Sequence, residues 1–413
     1  MTMPVSHMLA FALMNFGTGI TVPVLSLLLM ARGATLETLP LVMGVTLVVT
    51  VALEVPSGVA ADVLGRRRLF VCSMVLGIAV YVLLALGVNV WLVVASSVLR
   101  GIALAARTGT LESIEVDRVM AAHANDPGLR LSALDKLNSM FAVLETVGVG
   151  AGALAGGVLA TLDASYLLVI AAVCVVNAGA LVVALLVYPR DERSACSVHA
   201  EFQEGPRRPS VGEALHQIIA AIKDGGTLKM VLLASAATGV VMLTVETYWQ
   251  PALLALAGDG MTWLLGPVSC AGQAAAALGS VAASRMRCPQ TGGWGAHGRS
   301  VWMLGTLAGA VLMVVVLGAV TVPGLFVAAY VAFYLLLGVR TVFEQTLLHE
   351  AAPSEERTGM MSIQSIALRA GGLVATGVSS VVTTFSTLAC LWPALALVAA
   401  VPSVLAAVRV RRM

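Results

Sequence analysis

Apolar runs of about twenty residues recur twelve times along this chain, and that pattern leaves little to build except a bundle of membrane-crossing helices. Hydrocarbon offers no partner to backbone N–H and C=O groups. Each crossing must therefore satisfy its own by coiling into an α-helix, which needs roughly 20 apolar residues to span about 30 Å. The runs place spans near 6–30, 39–61, 69–88, 91–112, 137–160 and 165–188, then near 229–253, 262–284, 301–320, 322–345, 362–385 and 388–408. Only 11% of the residues are charged, against about 25% in soluble domains, so most of the chain belongs in lipid.

Twelve crossings put both termini on one side, and the basic residues say which. Under this layout only Arg32 lies in an outward loop, while the even-numbered connections and Arg409, Arg411 and Arg412 hold most of the others. The excess of Lys and Arg makes both ends cytoplasmic, in the inner (plasma) membrane. The N-terminus lacks a basic n-region and its apolar stretch continues toward Leu29, which reads as a retained first span and not a cleaved signal peptide. The polar stretch 189–228 is a cytoplasmic linker between two halves, 1–188 and 229–413. Within it, Ser210 and Glu213 fit a capping box, and Val211, Leu215, Ile218, Ile219 and Ile222 recur at helical spacing. That is an amphipathic helix on the inner membrane surface, or a solvated linker helix.

Several function classes are excluded. The six cysteines are scattered without metal-finger or redox spacing, and all six histidines fall at the N-terminus, in inner loops or at helix ends. No metal site, cofactor or midplane histidine relay is expected. There is no Walker A motif to couple ATP hydrolysis, no clustered nucleophile to suggest an enzyme, and a net charge of +2 implies no nucleic-acid partner.

Residues 58–68 read Gly-Val-Ala-Ala-Asp-Val-Leu-Gly-Arg-Arg-Arg, a charged hairpin between the apolar runs Leu41–Ala61 and Leu69–Val88. It resembles the loop between helices 2 and 3 of the major facilitator superfamily, Gly-x-x-x-Asp-Arg/Lys-x-Gly-x-Arg/Lys-Arg/Lys. Gly58, Asp62, Gly65, Arg67 and Arg68 match, Arg66 stands at the free position, and Val63 replaces the usual basic residue. The resemblance implies an all-α integral membrane fold: twelve transmembrane helices in two pseudo-symmetric six-helix bundles, a monomer that alternates access, with this hairpin as a conformational gate. The fifth span, with Gly148, Gly152, Gly156 and Gly157, resembles the family's antiporter motif, although Ala153 stands where that motif has proline. Small residues at this spacing also serve ordinary close helix packing. Arg100 matches the arginine of the family's helix 4 motif, which is linked to proton coupling.

The two halves echo one another. Arg107-Thr108 precedes Asp117 by the same interval as Arg340-Thr341 precedes Glu350, while Gly279 to Arg287 fills the slot of the opening motif with Ala283 in place of Asp62.

Charges inside spans carry the remaining information, since even a lenient insertion scale assigns about 2.5–3.5 kcal/mol to Arg or Asp at a helix centre. Glu54 and Glu145 fall in the cytoplasmic half of their spans, where either can pair with Arg100 or Arg107. A buried carboxylate that exchanges a proton for a basic partner is a coupling switch, because burial favours the neutral acid and a cation favours the anion. Glu246, with Trp249 and Gln250 at i+3 and i+4, reads either as a substrate-facing patch suited to a lipophilic cation or as part of an interfacial aromatic belt. Gln273 and Arg369 are further cavity candidates. Arg340 and Glu344 neutralise one another.

The expected function is proton-coupled export of a small lipophilic drug, antibiotic or secondary metabolite, with protons, substrate and the lipid bilayer as partners. Uptake of a small metabolite and a non-transporting scaffold or sensor are the alternatives, since fold alone chooses neither direction nor cargo.

Overall fold

The computed structural model describes residues 3–108, 110–122, 127–188, 226–286, 295–351, 357–386 and 388–410. The expected amphipathic helix at 211–222, Cys196, Cys288, Arg287, His123, His199, His216, Arg411 and Arg412 lie outside the described residues, as do the side chains of Asp62, Val63, His349 and Arg409.

Among the described residues every regular element is a helix. The first eight are α1 (Val5–Thr21), α2 (Leu25–Ala31), α3 (Leu39–Leu64), α4 (Arg66–Ala85), α5 (Val90–Arg107), α6 (Thr110–Ala122), α7 (Pro127–Leu162) and α8 (Leu167–Val187). Then come α9 (Thr227–Ala257), a 3₁₀ turn at Asp259–Leu264, α10 (Leu265–Arg285), α11 (Gly295–Ala319), α12 (Pro323–Ala351), α13 (Arg357–Phe385) and α14 (Leu388–Val410). Ten helices among the described residues are long and apolar enough to cross a membrane, the bent pair α1–α2 makes an eleventh, and α3 carries the shorter apolar stretch Leu39–Glu54. This is an all-α integral membrane fold, consistent with twelve crossings.

Three spans depart from the continuous helices expected. The first breaks between Thr21 and Leu25 with a 60° bend, because Pro23 has no N–H to donate and its ring collides with the preceding turn. The fourth leaves helical geometry at Thr108 (φ −56°, ψ 120°) and resumes as α6 at Thr110. The eighth opens with the 3₁₀ turn.

The chain divides into two compact units, Met1–Ala34 with Val45–Gln203 and Thr262–Ser269, and Thr35–Gly44 with Glu204–Met261 and Cys270–Met413. In the first, α1 lies along α7 and α8, and α4 packs on α5 and α8. Phe11 and Phe141 meet in its core with ring centroids 5.0 Å apart, beside Phe70, Met74 and Leu137. In the second, α9 packs on α12, α13 and α14, and α11 on α12 and α14, around Met230, Val231, Met303, Leu307 and Phe343.

Helices in lipid gain nothing from hiding apolar surface from lipid tails, so they associate by close van der Waals packing over small residues. A Cβ added at Gly152 or Gly156 of α7 would fall 2.2 or 2.0 Å from the carbonyl oxygens of Phe16 and Ile20 on α1, and one at Gly148 would fall 2.9 Å from Asn15 Cβ. Gly157 faces Gly266 of the 262–269 segment, whose amide nitrogen would lie 2.8 Å from such a Cβ. The second unit repeats the device, with the Cβ positions of Gly239 on α9 and Gly371 on α13 only 1.8 and 1.9 Å from Leu368 and Ala236 carbonyl oxygens.

Two turns show why particular residues stand there. Gly65, between α3 and α4, has φ +91° with open space around its Cβ position, so conformation and not packing requires glycine. Between α7 and α8, Asp163 accepts from the amides of Ser165 (2.8 Å) and Leu168 (3.1 Å) and from the Ser165 hydroxyl. Those bonds hold its carboxyl at about 2. The almost buried Arg32 donates to the Ser165 carbonyl.

Gly156→Val should separate α1 from α7 and lower the unfolding midpoint and folded yield in detergent, overpacking of this kind costing roughly 1–3 kcal/mol or more. Gly150→Ala, whose Cβ meets nothing within 4 Å, should leave both unchanged.

Candidate functional site

The ionisable side chains of the spans gather in a few places. At the predicted gate, Gly58 lies within α3, Gly65 makes the turn, and the three arginines open α4. Arg66 forms an ion pair with Asp117 of α6, Arg67 Nη2 donates to the Leu185 carbonyl at 2.9 Å, and Arg68 is exposed. In the second unit Arg299 of α11 forms an ion pair with Glu350 of α12. Both pairs join residues 51 apart in sequence, so the echo at Asp117 and Glu350 extends to their partners. Each pair is partly exposed, which limits its value to about 0–1 kcal/mol apiece.

Within the first unit, α1, α4, α5 and α8 line a partly open cavity of about 70 Å³. Arg100 and Arg107 enter it from α5, seven residues apart and therefore on one helix face, together with Thr18, Thr21, Tyr81 and Asn177. Arg107 Nη1 donates to Thr18 Oγ1 at 2.9 Å, and the Tyr81 hydroxyl donates to Thr21 Oγ1 at 3.4 Å. The charges of Arg100, Glu112 and Glu145 reach Arg107. Among the described residues, however, neither arginine forms an ion pair with Glu145, which is exposed on α7. Glu54 is half-buried on α3.

The second unit holds an acid inside an aromatic cluster. Glu246, near the middle of α9, accepts a short hydrogen bond from the Tyr334 hydroxyl of α12. The Tyr334 ring lies 4.8 Å from that of Tyr330, one turn earlier, and Tyr330 lies 4.7 Å from Trp249. Gly272 of α10 makes room for the tyrosines, since a Cβ there would stand 2.8 Å from the Tyr330 ring. Trp249 and Gln250 are each 1% exposed, so both are core residues of this unit. Among the described residues no basic side chain lies within ion-pair distance of Glu246. Gln273 is exposed on α10 and Arg369 half-buried on α13, with neither placed in the Glu246 cluster by a described contact.

About two turns further along α12, Arg340 and Glu344 form a bidentate pair at 2.7 and 2.8 Å with 2% and 3% of their side chains exposed. The Ser235 hydroxyl of α9 donates to the same carboxylate. The mutual neutralisation expected from i, i+4 spacing is thereby achieved, and it ties α12 to α9.

Sequence reasoning missed Tyr330, Tyr334, Thr18 and Asn177. The i, i+4 tyrosine pair in an apolar span was the available signal, and Asn177 was another polar residue in hydrocarbon needing a purpose.

An all-helical membrane bundle with acids and arginines buried inside its helix packing defines a polytopic membrane transporter. The chain belongs to the Major Facilitator Superfamily, whose family profile matches residues 8–296. No curated protein sequence matches it. Among solved structures it is similar to the nucleoside transporter NupG (TM-score 0.74, 12% identity, 98% of each chain covered). It is also similar to an auto-inhibited POT family peptide transporter (TM-score 0.70, 15% identity, 99% of this chain and 96% of that one). A third is a bacterial homologue of the human lysosomal transporter Spinster in an inward-facing, unoccupied conformation (TM-score 0.65, 13% identity, 98% and 95%). At these identities the likeness is one of fold.

Arg340→Met should cost about 3–5 kcal/mol of stability by leaving Glu344 as an uncompensated buried charge, whereas Arg340→Met with Glu344→Leu should cost markedly less. Thermal unfolding of the purified variants, read against a double-mutant cycle, checks both.

Proposed function

We propose that this protein is a secondary active transporter that exports a small lipophilic drug, antibiotic or secondary metabolite in exchange for protons by alternating access. In this reading it works as a monomer with both termini cytoplasmic and with halves 1–188 and 229–413 joined by the linker 189–228. The observation that carries the reading is Glu246, a carboxylate set among Trp249, Tyr330 and Tyr334 with no basic partner within reach among the described residues. An acid so placed seeks a positive charge. A proton satisfies it in one step of a cycle and a lipophilic cation in another, the rings contributing cation–π attraction.

Glu246 therefore takes precedence over Glu145, whose exposure leaves it no buried charge to exchange. Arg100 and Arg107 bias the first unit electrostatically. The glycine seams support motion, because helices in backbone contact slide without dragging side chains through one another. Gly58, Asp62, Gly65 and Arg66–Arg68 serve as the conformational gate, and Gln273 and Arg369 remain cavity residues in this proposal. Export is favoured over uptake by the glycine pattern at 148–157 and by the few polar groups in the spans. The neighbours described as nucleoside and peptide transporters make uptake the rival outcome.

In proteoliposomes with an imposed pH gradient, wild-type protein should move lipophilic cations against their gradient and Glu246→Gln should abolish that movement. Tyr334→Phe, which loses one hydrogen bond to a charged group, should weaken cation affinity about tenfold or more. Full gradient-driven transport in Glu246→Gln would refute the assignment, and accumulation of a polar metabolite in place of cation efflux would reverse the direction.

A further inference from the structure

The cavity of the first unit has a donor inventory that the export reading does not use. The Thr18 hydroxyl donates to the Met14 carbonyl at 3.1 Å, Thr21 to the Thr18 carbonyl at 3.0 Å, and Ser73 to the Phe70 carbonyl at 2.7 Å. Each hydroxyl has a single proton and each is spent on the backbone. What still points donors at the space is nitrogen. Arg100 has no hydrogen-bond or ion-pair partner among the described residues, Arg107 spends one N–H on Thr18, and the Asn177 amide has no described partner although the residue is 8% exposed. Among the described residues no carboxylate lines the cavity.

The other half shows that this is not the default arrangement. The offset that relates Arg66 and Asp117 to Arg299 and Glu350 also relates Arg107 to Arg340, Leu111 to Glu344 and Arg100 to Phe333. In the second half the arginine is neutralised in a bidentate pair and the position of Arg100 is a fully buried phenylalanine. In the first half the neutralising acid is a leucine and a second guanidinium has been added on the same face. Glu112 and Glu145 act on Arg107 from outside the cavity, but within it two like charges face one low-dielectric space, and an anion between them would relieve their repulsion.

We propose that this cavity is an anion subsite, taking one carboxylate or small oxyanion bridged between the Arg100 and Arg107 guanidinium groups with the Asn177 amide as a third donor. At about 10–15 Å³ per water-sized occupant, a volume of about 70 Å³ holds such a group with a water or two. Forked, always-charged guanidinium donors suit planar oxyanions better than any other side chain would. The anion is either a free inorganic or small organic ion or the acidic group of a transported molecule. The site depends neither on transport direction nor on Glu246.

The test uses purified full-length protein in an uncharged detergent, with the unfolding midpoint titrated against sodium acetate and sodium phosphate. Ionic strength is balanced with sodium HEPES, whose sulfonate sits on a much bulkier body than either ion. A saturable rise in midpoint is expected with acetate or phosphate. Arg100→Gln should raise the half-saturating concentration about tenfold or more, as expected for loss of one charge-assisted hydrogen bond. Asn177→Leu, which removes the third donor and leaves both charges in place, should weaken binding less and serves if the arginine variant does not fold. No saturable shift in the wild type, or equal half-saturation in wild type and both variants, would overturn the site. Two arms then separate the sources. Competitive inhibition of transport by acetate marks the group as part of the cargo, and a change in maximal rate at constant KM marks a resident ion.

Discussion

Everything polar in this protein rests on helices that touch backbone to backbone. Lipid withdraws the usual reason for apolar surfaces to meet, so contact has to come from closeness, and closeness from missing side chains. Gly152 and Gly156 bring α7 onto the carbonyls of α1, and Gly239 and Gly371 do the same for α9 and α13. Gly101 shows what this makes possible. A Cβ there would stand 2.9 Å from the Thr46 carbonyl of α3, so α5 presses on α3 through Gly101 while the adjacent Arg100 extends toward the cavity. A bulkier residue at 101 would push away the helix that carries both arginines.

That scaffold is repeated, and so are the Arg66–Asp117 and Arg299–Glu350 pairs, but the partners of the buried charges are not. Arg340 spends both terminal nitrogens on Glu344, which also accepts from Ser235, so its charge is already neutralised. Arg107 holds a threonine hydroxyl and feels carboxylates only at longer range. Glu246 is the complement, an acid with a phenol in place of a cation. Buried ionic groups seldom add stability over well-packed apolar ones. Half-satisfied ones in hydrocarbon therefore need some other reason to be there, which is the ground on which the two proposals above rest.

Much of this was legible without coordinates because hydropathy alone sets where a chain can cross a membrane. The spans fall within a few residues of their expected limits at most ends, and the turn at Gly65 appears where the motif puts it. Bends were not legible this way: hydropathy predicts a first span running unbroken over 6–30, although Pro23 is the signal for the 60° break found there. Partnerships were the least legible. Asp117 and Glu350 stood out by their spacing, yet their partners Arg66 and Arg299 lie 51 residues away. Glu145 is expected to pair with Arg100 or Arg107 because it lies in the same half of its span, a depth argument that leaves the helix face undetermined. In the structure it is exposed on α7. Tyr334 is 88 residues from Glu246, and a tyrosine in an apolar run reads as belt or core until its hydroxyl is seen on an acid.

The sparse polar inventory also bears on selectivity. A site that lines up many hydrogen-bond donors and acceptors rejects analogues strongly, because a wrong cargo leaves buried groups unpaired, whereas an apolar pocket separates homologues by only about 1–3 kcal/mol. Here the described spans offer long apolar walls and a few isolated charges. In the export reading proposed above, discrimination by such a surface follows the sign of a charge and the presence of a flat or lipophilic body, not the detailed hydroxyl and amide pattern by which a nucleoside or a peptide is told from its neighbours. Breadth of cargo belongs to that proposal, and it would set the protein apart from neighbours described as nucleoside and peptide transporters.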